Sequence, residues 1–156
     1  MQSVFIDISK YIFAGIIALY TLASYNGAIM RKEERIRKVC TIQNILMFSM
    51  HLLGFLILYI LNEEDMKYVI LYFAQFVYLF VTLMIFDVLY PKASRLLVNN
   101  MCMLMSIGFI MIARLDFDKC IKQFVIAACG TVITFFVPWM LKKFKSFRNL
   151  ELLKHP

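Results

Sequence analysis

Five long apolar runs alternate with short charged stretches along the chain. The first run, 11–30, carries no charge and is long enough to cross a hydrocarbon core of about 30 Å. Residues 31–38 (RKEERIRK) form a strongly basic connection to a second run at 39–61. A short acidic turn, 62–67 (NEEDMK), leads to a third run at 68–90 that is rich in Phe and Tyr. Pro91 ends that run, because it lacks the N–H a continuing helix needs. A short basic loop, 91–95, precedes a methionine-rich fourth run at 96–113, which 114–119 (RLDFDK) closes. The fifth run spans 120–141 and places Trp139 near its end, where an indole sits at headgroup level. The basic tail, 142–156, contains KKFKSFRNL, a segment suited to lying along the membrane surface. The pattern predicts an all-α, polytopic integral membrane protein of five transmembrane helices, with sequential helices antiparallel. A β-barrel is excluded, since its strands alternate apolar and polar over roughly ten residues and these runs do not alternate.

Composition supports the same class. Apolar residues make up 62% of the 156, the mean hydropathy is +0.76, and the 17% that are charged cannot cover a soluble globule. A net charge of +7 would suit nucleic acid if it formed one patch, but here the cations sit in connections between apolar runs. There they set membrane orientation and meet anionic lipid headgroups, so no nucleic-acid partner is expected. Placing 31–38, 91–95 and the tail inside puts twelve of the seventeen Lys and Arg residues in the cytoplasm, which predicts N-terminus outside and C-terminus inside. Asp7 and Lys10 cancel ahead of the first run and the basic cluster follows it, so that run is read as a retained helix, not a cleaved signal.

Few side chains suggest chemistry. Cys40, Cys102, Cys120 and Cys129 form no CxxC pair and read as small core residues. Neither His51 nor His155 has the neighbours a zinc site requires, and no cofactor is expected. His51 is the one ionisable group deep in a run, with Gln43 and Asn44 about two turns earlier. Its simplest reading is a neutral imidazole bonded across a helix interface; a proton relay is the functional alternative, and wild-type activity in His51→Ala would end it. Asp87 is placed to pair with Lys92 and Arg95 at the cytoplasmic border, and Asn99 and Asn100 to bond other helices. Asp116 and Asp118 beside Arg114 resemble paired catalytic carboxylates only in type; two acids at i and i+2 in a polar turn read as a solvated connection. No P-loop, HExxH, GxSxG or dinucleotide fingerprint occurs, and no catalytic, cofactor-binding or metal-ligating residue is assigned.

The stretch Asn99-Asn100-Met101 through Gly108 to Arg114-Leu115-Asp116, followed by Lys122-Gln123-Phe124 and Gly130, resembles the start of the SEDS family of FtsW, RodA and SpoVE type cell-wall proteins. That family opens with a helix containing a small-residue step, a short outer loop, a basic-Gln pair and a second helix returning to the cytoplasm. The resemblance covers 99–150; it departs at Ile126, where many members carry Trp, and in having three helices ahead of the common core. It implies a division into a three-helix membrane extension, 1–95, and the first two helices of a SEDS-like core, 96–156. It also implies a bacterial multi-pass membrane protein acting in cell division, cell shape or sporulation. The full-length protein would be a peptidoglycan glycosyltransferase using lipid II, with a single-pass penicillin-binding transpeptidase as partner. The long outer loop with the family's essential acid finds no match here, so the catalytic segment is expected to lie outside this sequence, which reads as an N-terminal piece. The alternative is a complete small membrane protein without enzymatic activity, such as an assembly factor or a transport accessory subunit. A transporter would call for intramembrane charge or broken helices, and only His51 and Pro138 approach that.

Overall fold

Inside a bilayer a backbone amide finds no water, so each apolar run must satisfy its own N–H and C=O groups, and a helix does so. The computed structural model describes residues 2–30, 32–90 and 94–152, with side chains from 8 to 137 and at 140. It contains α1 (Gln2–Ile29), α2 (Glu33–Leu61), α3 (Met66–Leu89), α4 (Arg95–Leu115) and α5 (Phe117–Leu152). All five include a stretch long and apolar enough to cross a membrane, and the chain is an all-α polytopic membrane protein. Pro91, Lys92, the Trp139 side chain, the tail side chains and residues 153–156 lie outside the described residues.

The helices are longer than the apolar runs. Most of the basic stretch 31–38 is helix, since α2 starts at Glu33, and Lys38 pairs with Glu34 one turn earlier at 3.2 Å. Glu, Lys and Arg are good helix formers, and Glu33 and Glu34 in the first turn complement the helix dipole. At the far end of α4 the expected loop shrinks to Asp116 alone. Asp116 then caps α5 by accepting from the Lys119 backbone N–H at 3.1 Å. The segment expected to lie on the membrane surface instead continues α5, which at 1.5 Å per residue is a rod of roughly 54 Å.

The acidic turn between α2 and α3 has a definite cause. Glu64 N–H bonds to Tyr59 C=O at 2.9 Å while Glu63 sits at φ 54°, the arrangement of a Schellman cap with Glu63 in the left-handed position usually held by glycine. Glu64 follows at φ 62°. Asn62 adds its side-chain Nδ2 to the Leu58 carbonyl at 2.7 Å, and Asp65 begins α3 by accepting from Lys67 N–H at 3.0 Å.

Packing centres on α2 and α4. Of the span positions 39% are buried in α4 and 33% in α2, against 11% in α1 and 6% in α5, so the outer helices present most of their surface to lipid. A close approach between α2 and α4 depends on Gly54, where a Cβ would lie 2.6 Å from Ile110 Cδ1. Two apolar clusters fill the interior. One joins Phe55, Leu58, Leu71, Phe109 and Cys120 toward the acidic-turn end, and the other joins Tyr20, Met47, Leu79 and Cys102 farther down the bundle. Because α4 packs against α1, α2 and α3 as well as α5, no packing boundary falls at 95/96.

Candidate functional site

Three helices bring polar groups inward at the same spacing. Asn44 and His51 on α2, Gln75 and Thr82 on α3, and Asn99 and Ser106 on α4 are each seven residues apart, close to two helical turns. His51, Gln75, Thr82, Asn99 and Ser106 are buried, as is Gln43, and Asn44 is half-buried. A polar seam therefore runs along the α2–α3–α4 interior, where an unbonded polar group is costly.

The part of the seam nearer the basic end is a network with α1. Asn100 Oδ1 accepts from Tyr20 Oη at 3.1 Å and from Ser24 Oγ at 3.0 Å. Gln43 Nε2 donates to Ser24 Oγ at 2.7 Å, with a longer 3.4 Å contact to Asn100 Oδ1. Asn99 Nδ2 donates to the Cys40 carbonyl at 3.1 Å and to Gln43 Oε1 at 3.3 Å. Both asparagines thus bond across helices, as their place at the head of the fourth run suggested. Next to this network lies a cleft of about 130 Å³ bordered by Arg37, Asn44, Asp87, Arg95 and Asn99. Arg95 Nε meets Asp87 Oδ1 there at 2.9 Å and ties α4 to α3.

Farther along, His51 Nδ1 lies 2.9 Å from Ser106 Oγ, with the ring 4.9 Å from Phe55 and stacked on Tyr72 at 5.5 Å. Among the described residues no carboxylate lies within ion-pair distance of this imidazole. Gln75 Nε2 donates to Cys120 Sγ at 3.5 Å, and that thiol donates to the Phe109 carbonyl at 3.4 Å. Asn44 Oδ1, His51 Nε2 and Gln75 Oε1 are buried without a hydrogen-bond partner among the described residues. Tyr20, Ser24, Gln75 and Ser106 were not singled out by the sequence. The repeated seven-residue spacing of polar residues on three neighbouring runs was the available signal for Gln75 and Ser106.

At the opposite end from the basic loops, Asp116 is paired with Lys119 Nζ at 3.2 Å, and Asp118 is exposed. Asp116 is itself the cap of α5, and Asp118 lies in the first turn of that helix. The Lys119 hydrogen bonds, backbone first, hold the Asp116 carboxyl below its usual value. Cys40, Cys102 and Cys120 are buried and Cys129 is exposed, and among the described residues no three metal-ligating side chains group together. The outward side of α4 and α5 carries a shallow apolar hollow of about 320 Å³, bordered by Met101, Leu104, Gly108, Gln123 and Ala127. Gly108 and Gly130 both face open space, since a Cβ at either would meet nothing within 4 Å. No family model, no curated protein and no solved structure matches the chain.

Proposed function

We propose that this chain is the N-terminal membrane region of a SEDS-type peptidoglycan polymerase of the bacterial cell membrane. Its role there is structural: α1–α3 brace α4, and α4–α5 present a helix-packing surface to the catalytic part of the protein. The observation that carries the reading is the open α4–α5 face. Gly108, Gln123 and Ala127 border an apolar hollow, and Val125, Ile126, Ile133 and Phe136 are exposed along α5. Small residues in such a surface let another helix approach closely. The same hairpin holds the residues of the resemblance, with Arg114, Leu115 and Asp116 at its one-residue turn and Lys122-Gln123 one turn into α5. On this reading glycan transfer from lipid II belongs to residues outside this sequence, and a single-pass transpeptidase is the expected partner.

The test is the coding DNA beyond the Pro156 codon. An open frame continuing into further apolar spans is the expected result, and a stop codon with no continuing frame downstream would overturn it. The second reading gives the same α4–α5 face to a separate membrane protein, with this chain as a non-enzymatic assembly factor or transport accessory subunit. A stop codon, with co-purification of another membrane protein lost on Gly108→Phe, is the outcome that reading expects.

A further inference from the structure

α1 and α4 meet at one end of the bundle and part at the other. Toward the basic loops, Gly27 packs on Leu96 and Val39, and Tyr20 and Ser24 bond to Asn100. Toward the Asp116 turn the two helices leave a groove of about 320 Å³, floored by α2 at Gly54 and Leu58 and walled by Phe13, Ile17, Ile107 and Met111. The groove opens sideways, with Ile17 42% and Met111 51% exposed. Lys10 and Arg114 stand at its mouth.

From Arg114 to Ile107 the groove descends by seven residues, about 10 Å from the membrane boundary into the apolar layer. Its walls and floor are apolar side chains of α1, α2 and α4, which suit a thin, flexible hydrocarbon chain. The mouth selects the head of the occupant. Arg114 is exposed and forms no ion pair among the described residues, while its nearest acid in sequence, Asp116, is taken by Lys119. A guanidinium at that depth extends toward lipid phosphate, to which its fork of donors is matched. Cationic pockets between helices bind anionic headgroups for the same reason.

We infer that the α1–α2–α4 groove is a lipid site, holding one acyl chain of an anionic phospholipid with its phosphate on Arg114. Gly54 keeps the groove floor open while letting α2 pack on Ile110.

The inference is tested on the full chain, purified in detergent, stripped of lipid and titrated with dioleoyl phosphatidylglycerol or dioleoyl phosphatidylcholine under native mass spectrometry. One phosphatidylglycerol should be retained, with a preference of about fivefold over phosphatidylcholine. Arg114→Gln should bring the two lipids to parity, and both Met111→Trp and Ile17→Trp should lower retention of either lipid by filling the groove. Glycerol phosphate and inorganic phosphate should not displace the bound lipid, because neither carries a chain. Unchanged selectivity in Arg114→Gln, unchanged retention in a Trp variant of normal helix content, or displacement by free phosphate would each overturn the assignment. Because no glycan transfer is measured, the result stands or falls independently of the polymerase reading.

Discussion

At the scale of single residues, two positions carry unusual local demands. Gly54 lets α2 and α4 touch, because an added Cβ would come within 2.6 Å of Ile110 Cδ1 and 2.8 Å of its Cγ1. Gly54→Ala should therefore destabilise the protein by about 1–3 kcal/mol, and Ile110→Val in the same chain should recover part of that loss by removing the nearest methyl. Thermal unfolding in detergent micelles reads both, and additive losses in the double variant would contradict the packing assigned here. Glu63 is the opposite case, a residue with a Cβ held at φ 54°. Glu63→Gly should raise stability by about 1 kcal/mol, whereas Glu63→Ala, which keeps the Cβ, should not. His51 was legible in the sequence as a buried polar group. Its partner Ser106 was not, because a serine in a long apolar run has no local feature that separates an interhelical bond from a bond to its own helix.

At the scale of elements, charge sets where helices begin and end less than expected. The charged stretch at 33–38 and Arg114-Leu115, which polarity assigns to connections, are helical. Charged residues mark the membrane boundary without breaking the helix, so the hydropathy edge and the helix edge part company. The α4–α5 hairpin depends instead on a cap. Asp116 accepts from the Lys119 N–H and pairs with its ammonium, and its carboxyl is held below the ordinary value. For a depressed carboxyl the stabilisation is present above the unfolded value and is lost as pH falls through the folded one. Acidification from pH 7 to roughly pH 3 should therefore lower the melting temperature more in the wild type than in Asp116→Ala, in which this contribution is already gone. An equal acid response in the two proteins would show that the cap contributes nothing.

At the scale of the whole molecule, orientation is the property that charge counting predicts most directly. With the N-terminus outside, a cysteine placed at Glu63 in a background lacking Cys129 should react with an impermeant thiol reagent on intact cells. Labelling only after lysis would reverse the topology. Cys120, which lies near the same boundary in sequence, is fully buried against Gln75 and Phe109 and is unsuited as a probe. The bundle also joins what the sequence divided. Asn99 and Asn100 of the 96–156 segment bond to Cys40, Gln43, Tyr20 and Ser24 of the 1–95 segment. A change such as Asn100→Leu should thus loosen α1 as well as α4, seen as faster amide exchange in both helices.

The amino-acid sequence alone determined the class, the number of spans and the end of the bundle at which positive charge gathers. Those properties follow from the length and polarity of contiguous segments, which a bilayer of fixed thickness reads locally. Tertiary structure decided which faces meet. The polar seam from Asn44 to Ser106, the Gly54–Ile110 contact and the groove under Arg114 all depend on the rotation and tilt of helices that carry apolar residues around most of their circumference. Such helices carry little periodic signal to say which face turns inward, and only the packing of small and polar residues against their neighbours supplies it.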